Sequence, residues 1–351
     1  MAALGRARGP LSSTHRARAD APVLCCPDKF RGSLTADEAA EALARGVERA
    51  GRRARRLPLA DGGEGTLAAL CPDRATLRVA RVTGPLGEPV DASWGLHDGS
   101  AVVESARASG LALVEGRNDP VRATTRGTGE LIRIALEAGA RRVTVGVGGS
   151  ATVDGGLGAL EALDFDLRGA EVVVACDVGT GFVDAARVFG PQKGADAGDV
   201  ARLEERLSAL AERYRSELGV DVRDLTMAGA AGGLAGGLAA LGATLRRGAA
   251  LVAETVGLSA ALAGASLVLT GEGRYDATSL DGKVVGHVLG EARAAGIPAA
   301  IVAGDAAVDA LEALPPDVSC VTLASIAGSA ERAVHDAARL AADAAELLAR
   351  G

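Results

Sequence analysis

The sequence predicts an α/β fold with two α/β domains, one Rossmann-like with a mostly parallel sheet and a second one inserted into it. Short runs of β-branched residues alternate with Ala- and Leu-rich segments of helical period, which is typical of βαβ units. A chain of 351 residues suits two such domains or one large one. Apolar residues make up 48% and charged residues 24%, the proportions of a globular protein.

Helices are predicted where Ala- and Leu-rich segments carry signals for both ends. In the first, Thr35 and Glu38 have the spacing of a capping box, and Gly51 can end the helix in a left-handed conformation. In the second, Thr128 is the expected N-cap and Gly139 the expected stop. Two further helices are expected, at residues 200–218 and at about residues 329–349.

The predicted strands are most informative at their carboxyl ends, where the loops carry acids and mostly glycine as well. These acids are Asp28, Asp61, Glu64, Asp154, Asp177, Glu272, Asp276 and Asp305. Turn chemistry and helix capping would explain any one loop. Repetition favours a ligand, because open α/β sheets bind ligands at this edge. A site for phosphate and Mg²⁺ would require both residue types, because glycines expose backbone N–H groups to the phosphate and carboxylates hold the metal.

Lysine is rare in this chain, and its positions point to phosphate. Three of the 38 lysines and arginines are lysine, namely Lys29, Lys193 and Lys283, and each lies within three residues of a glycine. An ammonium group is a compact charge that can follow a phosphoryl group, whereas a guanidinium group is a planar fork. The alternative is that each lysine is an ordinary surface cation. The residues alone thus indicate a phosphate-handling, Mg²⁺-dependent α/β enzyme.

Composition and missing motifs argue against several classes of protein. A net charge of −7, with no basic stripe among aromatic residues, disfavours nucleic-acid binding. No apolar run approaches the roughly 18 residues that span a membrane. The five cysteines lack the spacing of a zinc site or a disulfide framework, which favours reduced thiols and the cytoplasm. GxGxxG, P-loop and protein-kinase motifs are missing. The sequence predicts no oligomeric state.

The domain boundaries follow from the strands that are assigned to one Rossmann-like sheet. We expect residues 23–70 together with 263–351 to form this domain, and residues 71–262 to form the inserted α/β domain. Residues 1–22 are Arg-rich and have no apolar core segment, so we expect a disordered extension and not a secretory signal. A transit peptide and a misassigned start codon are the alternatives.

Eight segments carry a more specific signal as an ordered set. They are CPDKFRGSLTADEAA, PLADGGEGT, VVESARASGLALV, TTRGTGELIRIALEAGA, VGVGGSATVDGG, VFGPQKGAD, GAAGGLAGGL and LTGEGRYDATSLDGK. Together they are similar to the successive signatures of the type I glycerate kinase family, from about residue 23 to the C-terminus. The resemblance implies a two-domain α/β protein, with its active site in the cleft between the domains, that phosphorylates D-glycerate with ATP.

The expected product is 2-phosphoglycerate or 3-phosphoglycerate, formed when the γ-phosphoryl group of ATP moves to a hydroxyl group of glycerate. Two alternatives stay open at this point. One is a kinase for another small hydroxy acid, and the other is a non-catalytic protein that binds a phosphorylated metabolite. The chain also departs from the family pattern, because the loop at residues 179–187 is shortened and lacks the usual Asn beside Asp177.

The resemblance and the loop chemistry together give a candidate site for ATP, Mg²⁺ and glycerate. The expected catalytic residues are Asp177, Lys193, Asp276 and Lys283, of which Asp177 and Asp276 are expected to hold the metal. Substrate binding is expected for Asp28, Lys29, Arg31, Asp61, Glu64 and Arg274. The ATP phosphates are expected against two turns, one with Gly148, Gly149, Ser150 and Asp154, the other with Gly271, Glu272 and Gly273. Lys193 and Lys283 are candidates for the transferring phosphate, and Lys29 and Arg31 for the glycerate carboxylate.

Overall fold

A computed structural model describes residues 21–350 of the chain. The predicted N-terminal extension lies outside the described residues, apart from its last two positions. The chain divides into two compact units: a discontinuous unit, formed by the residues up to Pro58 and from Gly257 onward, and an inserted unit, Leu59–Val256. The predicted domain boundaries at residues 70 and 262 stay predictions.

Strands and helices alternate along most of the described chain. The strands are β1 (Val23–Cys25), β2 (Ala54–Arg56), β3 (Leu77–Thr83), β4 (Pro89–His97), β5 (Ser100–Glu104), β6 (Arg142–Gly146), β7 (Glu171–Cys176), β8 (Thr244–Arg247), β9 (Leu267–Tyr275), β10 (Ala299–Ala306) and β11 (Ser319–Thr322). The helices are α1 (Ala36–Arg49), α2 (Thr66–Leu70), α3 (Ala106–Ser109), α4 (Arg126–Glu137), α5 (Leu157–Ala162), α6 (Ala185–Phe189), α7 (Ala197–Leu218), α8 (Leu234–Ala240), α9 (Gly248–Thr255), α10 (Leu258–Ala263), α11 (Val284–Ala294), α12 (Val308–Glu312), α13 (Leu323–Ala327), α14 (Ala330–His335) and α15 (Ala337–Arg350). None of the helices in residues 21–350 is long and apolar enough to cross a membrane.

The discontinuous unit contains a parallel sheet with the strand order β11-β10-β9-β1-β2. Its central strands begin with buried, mostly apolar residues, as expected for a sheet that is buried on both faces, while β9 and β10 carry polar residues near their carboxyl ends. Helices α1 and α15 pack against each other so closely that a side chain at Gly46 would collide with the backbone of Ala342. Because all strand pairs of this sheet are parallel, its strands present their carboxyl ends at one edge.

The inserted unit contains a mixed sheet with the order β3-β4-β5-β6-β7-β8. Strands β3, β4 and β5 are paired antiparallel, while β5, β6, β7 and β8 are parallel. Val, Leu and Ala fill most of its core, and Phe182 meets Tyr214 edge to face with ring centroids 6.1 Å apart. Both sheets are mostly parallel, which confirms the predicted α/β class.

The helix ends show where local sequence signals hold. The capping box of Thr35 and Glu38 is present at the start of α1, and Gly51 has a φ of 77° just beyond its end, so both predictions are confirmed. Gly139, with a φ of 93°, likewise follows the end of α4. The expected cap at Thr128 is wrong: the N-cap is Thr125, and Thr128 is buried within the helix.

The longer helical predictions differ from the structure at their ends. The helix expected at residues 200–218 begins at Ala197, because Asp196 and Asp199 form a capping box ahead of it. The C-terminal helix expected at about residues 329–349 is two helices, α14 and α15, interrupted at Asp336. Ser329 caps the first of them as its sequence position suggests.

Candidate active site

Parallel strands of the inserted unit bring several candidate residues to one edge of the sheet. Strands β5, β6 and β7 are neighbours and run in the same direction. Their carboxyl ends lead to Glu104, to the glycine-rich loop at residues 147–156, and to Asp177. The predicted phosphate loop and one predicted metal ligand thus leave adjacent strands on the same side, where ligands bind in open α/β sheets.

The loop that carries Asp61 and Glu64 packs directly onto this edge. A side chain at Gly62 would come within 2.6 Å of the carbonyl oxygen of Ala175, at the end of β7, so glycine is required at that position. The carboxylate of Asp61 accepts a hydrogen bond from the backbone N–H of Gly63 at 3.0 Å, while Glu64 is exposed. The structure therefore brings the Asp61 loop, the glycine-rich loop and Asp177 together.

Lys193 is buried, with only 4% of the residue exposed. Its ammonium group donates hydrogen bonds to the hydroxyl of Ser150 at 2.9 Å and to the carbonyl oxygen of Thr152 at 2.7 Å. The ring of Phe189 lies 5.8 Å from the same nitrogen. Burial lowers the pKa of Lys193 from its ordinary value of 10.5 to about 7, although the negative charge of Asp154 acts in the opposite direction.

Asp154 is buried as well and accepts several hydrogen bonds from its own surroundings. Its carboxylate accepts from the backbone N–H and the hydroxyl of Thr125, both at 2.8 Å, and from the backbone N–H of Gly156 at 3.1 Å. These bonds join the glycine-rich loop to the start of α4 and explain why that helix begins after Thr125. The Asp154 carboxylate thus stabilises the conformation of the glycine-rich loop.

Two residues that hold these loops were not among the predicted site residues. Glu104 is buried and accepts hydrogen bonds from the backbone N–H groups of Gly65 and Leu67, at the start of α2. Asn118 donates from its side-chain amide to the carbonyl oxygens of Ala151 at 3.0 Å and Lys193 at 2.8 Å. Asn118 is the single asparagine of the chain, and this rarity was an available signal.

In the discontinuous unit, the candidates collect at the carboxyl ends of β1 and β9. The backbone N–H of Asp28 donates to the carbonyl oxygen of Gly271 at 2.8 Å. A side chain at Gly273 would lie 2.7 Å from the backbone nitrogen of Arg31. The carboxylate of Asp28 lies 3.8 Å from the ammonium nitrogen of Lys29. The segments of residues 28–31 and 271–274 therefore form one surface with mixed charge.

The expected turn at residues 271–274 is wrong, because these residues continue strand β9. Gly271 and Glu272 are paired with Val302 and Ala303 of β10, and Arg274 is paired with Asp305. Glycine occurs here because neighbouring backbone passes within contact distance, and not because the chain reverses. This segment is paired with β10 along one side, which is the geometry of a strand and not of a phosphate-binding turn.

Asp276 and Lys283 lie beyond the end of β9 and meet through one hydroxyl. Asp276 caps a short 3₁₀ turn, Ala277–Leu280, and its carboxylate accepts from the backbone N–H of Thr278 at 2.9 Å and from its hydroxyl at 2.6 Å. These hydrogen bonds lower the pKa of Asp276. The ammonium group of Lys283 donates to the same hydroxyl at 2.9 Å.

Comparison with known proteins decides the family. The model of the glycerate kinase family matches residues 23–171 and 164–351. The chain belongs to the glycerate kinase family. It is 42% identical to the glycerate 2-kinase of Escherichia coli K12 over 302 residues, which cover 75% of this chain and 79% of that protein. It is also 42% identical to the glycerate kinase of Bacillus subtilis 168 over 323 residues, 80% of this chain and 84% of the relative.

A solved structure agrees with this membership. The crystal structure of a protein from Salmonella typhimurium LT2, provisionally named glycerate kinase 2, superposes with a TM-score of 0.77 at 35% identity. The match covers 94% of this chain and 97% of that chain. The resemblance predicted from the eight sequence segments is confirmed, and it supports a kinase that acts on a hydroxyl group of glycerate.

The donor groups of this glycerate kinase family member fit a magnesium ion on chemical grounds. Within residues 21–350, no three His, Cys, Asp or Glu side chains are grouped as a metal site. Mg²⁺ usually takes one or two protein carboxylates and completes its shell with phosphate oxygens and water. Asp61 and Asp177 supply carboxylates from segments that touch where Gly62 meets Ala175. The other predicted ligand, Asp276, belongs to the discontinuous unit.

Proposed function

We propose that this protein transfers the γ-phosphoryl group of ATP to the 2-hydroxyl group of D-glycerate and releases 2-phosphoglycerate and ADP. Membership of the glycerate kinase family carries the reaction class. The choice of hydroxyl group is supported by the Escherichia coli relative, which is named glycerate 2-kinase and is 42% identical. The 3-hydroxyl product is the alternative outcome of the test below.

One structural observation supports this reaction most strongly. The glycine-rich loop and Asp177 follow the adjacent parallel strands β6 and β7, so N–H donors for phosphate and a carboxylate for a metal lie at the same edge. Phosphoryl transfer needs little else from a protein than positioning and compensation of the developing negative charge. The same edge also carries the Asp61 loop.

We assign roles within each unit as follows. In the inserted unit, backbone N–H groups near Gly148 and Gly149 receive ATP phosphates, and Asp177 with Asp61 holds Mg²⁺, which offsets the charge of the phosphate oxygens. In the discontinuous unit, Lys29 and Arg31 bind the glycerate carboxylate, since guanidinium can bind it in a bidentate way.

Further roles are proposed for residues that follow β9. Lys283 supplies a mobile positive charge to the transferring phosphoryl group, because its ammonium is bound only by a hydroxyl on an exposed turn among the hydrogen bonds of the described residues. Asp276 fixes that turn and lies two residues after Arg274, whose side chain is exposed. Among the other candidates, Glu64 is exposed on the loop that carries Asp61, and Glu272 lies within β9.

The test is an assay of ADP release with ATP, Mg²⁺ and D-glycerate, followed by identification of the product. L-Glycerate, glycolate, lactate and tartronate serve as matched acceptors in the same assay. Proton-coupled ³¹P NMR then assigns the ester: a 2-phosphate couples to one carbon-bound hydrogen and gives a doublet, whereas a 3-phosphate couples to two and gives a triplet. We expect a doublet with D-glycerate.

Two results would contradict the proposal in different ways. A triplet would move the reaction to the 3-hydroxyl group and leave the kinase intact. ADP release that is faster with another hydroxy acid, or no release with any acceptor, would overturn glycerate as the substrate.

A further inference from the structure

The glycine-rich loop is held at three consecutive residues by two side chains. Lys193 donates to the Ser150 hydroxyl and to the Thr152 carbonyl oxygen, at 2.9 and 2.7 Å. Asn118 donates to the carbonyl oxygen of Ala151 at 3.0 Å. Every residue from 150 to 152, in the middle of the loop, therefore has one of these two side chains bound to it.

The two side chains are also joined to each other. The second N–H of the Asn118 amide donates to the backbone carbonyl of Lys193 at 2.8 Å. Asn118 thus ties the backbone that carries Lys193 to the loop that Lys193 holds, and it closes a ring of hydrogen bonds. We name this pair, Asn118 and Lys193, the loop latch.

The position of the ammonium group argues against direct contact with the transferring phosphate. Lys193 is 96% buried, and its nitrogen already donates hydrogen bonds to two oxygen atoms and lies over the ring of Phe189. To reach a phosphoryl group, it would leave buried acceptors without a donor, which is unfavourable. A short turn, Pro191–Lys193, followed by Gly194 with a φ of 98°, directs the side chain inward.

We propose that Asn118 and Lys193 are positioning residues, which fix the glycine-rich loop in the conformation that receives ATP phosphates. This inference rests on the proposed function for the identity of the ligand. It assigns a role to Asn118 and changes that of Lys193: the ammonium group acts on phosphate through the loop that it holds, and not by touching it.

Hydrogen exchange tests the latch without any substrate. The backbone N–H of Ala151 donates to Ser109 at 2.9 Å and that of Gly155 to Gly232 at 3.0 Å, so both amides report whether the loop is closed. In Lys193→Met and in Asn118→Leu, which preserve approximate side-chain volume, we expect exchange at Ala151 to rise at least about tenfold. Exchange in the strand at Val145 should not change.

Kinetics provide the second readout. We expect each single variant to raise the KM for ATP by about 5- to 50-fold and to change kcat less, because a loosened loop loses binding before it loses chemistry. The double variant should be no more than about threefold worse than the worse single one, because both residues act on one loop. Arg187→Met, at an exposed position of helix α6, is the matched control and should leave both readouts unchanged.

The outcomes separate the possibilities cleanly. If Lys193→Met lowers kcat by about 10³-fold while Asn118→Leu behaves like the unmodified protein and exchange at Ala151 is unaltered, the ammonium group touches the reacting phosphate and the proposal is overturned. If Lys193→Met does not fold, Asn118→Leu alone decides, and unchanged exchange at Ala151 overturns it. If the unmodified protein releases no ADP, the proposed function is contradicted. Hydrogen exchange at Ala151 still tests the loop latch in that case.

Discussion

The glycine-rich loop of the inserted unit and the segment that follows β9 in the discontinuous unit each involve an aspartate and one of the rare lysines, with opposite results. Asp276 and Lys283 belong to one segment, whereas Asp154 lies in the loop and Lys193 comes from a segment 39 residues further along the chain. In the first, Asp154 and Lys193 point inward and are 5% and 4% exposed. In the second, Asp276 and Lys283 are bound to an exposed threonine on the surface. The contrast indicates that burial determines whether such charged side chains stabilise a loop or bind a ligand.

Asp177, the acid that we propose holds Mg²⁺ just beyond the end of β7, sharpens this comparison with the largest expected loss of activity. Asp177→Asn removes the negative charge at the end of β7 and retains the shape of the side chain. We expect kcat to fall by about 10²- to 10⁴-fold, the range for loss of one preorganised charge or proton acceptor in an active site. ADP release measured at saturating ATP and glycerate checks this.

The control for this variant is the equivalent change at the exposed residue that precedes helix α6, Asp184→Asn, which breaks a surface ion pair with Arg187. Turnover of Asp184→Asn should equal that of the unmodified chain. Turnover of Asp177→Asn within threefold of the unmodified chain would mean that the phosphoryl transfer occurs at another edge of the sheet.

For stability, we expect loss of the buried Asp154 carboxylate to cost more than loss of the Asp276 carboxylate on the exposed turn. Asp154→Ala leaves the N–H and hydroxyl of Thr125 and the N–H of Gly156 without an acceptor, so we expect a loss of about 3–5 kcal/mol. Asp276→Ala removes only the cap of a short exposed turn, worth about 1 kcal/mol. Urea unfolding measures both losses.

Each unit has its own probe for that experiment. Trp94, the single tryptophan, is 2% exposed in the core of the inserted unit, so its fluorescence reports the effect of Asp154→Ala. Far-UV circular dichroism covers the unit that contains Asp276. Equal losses in the free energy of unfolding for the two variants would show that burial does not explain the difference between the two loops.

The sequence predicted the fold wherever local signals and tertiary contacts agree. The capping box at Thr35 and the left-handed Gly51 depend on neighbouring residues alone, and both are present. Several acids do follow strands as predicted, because the alternation of strands and helices fixes which residues leave the sheet. Glu272 and Asp305 do not, since they lie within β9 and β10. Asp61, Asp154 and Asp177 accordingly lie on segments that meet at one edge.

The errors have a common physical origin in contacts between distant segments. Gly271 and Gly273 suggested a turn, but they accommodate the backbone of β10 and of residue 31 within a strand. Thr128 matched a cap, yet Asp154, 29 residues beyond Thr125, holds Thr125 in that role. The inward direction of Lys193 depends on Ser150 and Thr152, which no local pattern reveals.

The buried ammonium group also predicts a pH dependence that the exposed loop should lack. Lys193 has a pKa of about 7 in the folded chain and an ordinary value of 10.5. Between these values the unfolded chain binds the additional proton, so the free energy of unfolding should rise with pH. We expect a rise of about 2 kcal/mol between pH 7 and pH 9, on the order given by 1.4 kcal/mol per pKa unit.

Urea unfolding followed by Trp94 fluorescence at a series of pH values measures this rise, and Lys193→Met is the comparison. That variant should show a flatter profile over the same window, because it has no group to titrate. A parallel rise in both proteins would assign the pH dependence to other groups. Asp154 is the charged group whose attraction opposes the shift, so Asp154→Asn should lower the pKa of Lys193 further and extend the rise to lower pH.

The smallest expected change in stability comes from Lys283→Met. Its ammonium group makes one hydrogen bond, to the exposed hydroxyl of Thr278, so the free energy of unfolding should change by less than about 0.5 kcal/mol. The same variant should lower kcat by about 10²-fold, because a point charge that is not needed by the fold is available to the transferring phosphoryl group. Circular dichroism in urea and the ADP assay measure the two effects on one preparation. A stability loss near that of Asp154→Ala, with kcat unchanged, would show that Lys283, like Lys193, stabilises a loop and does not act on phosphate.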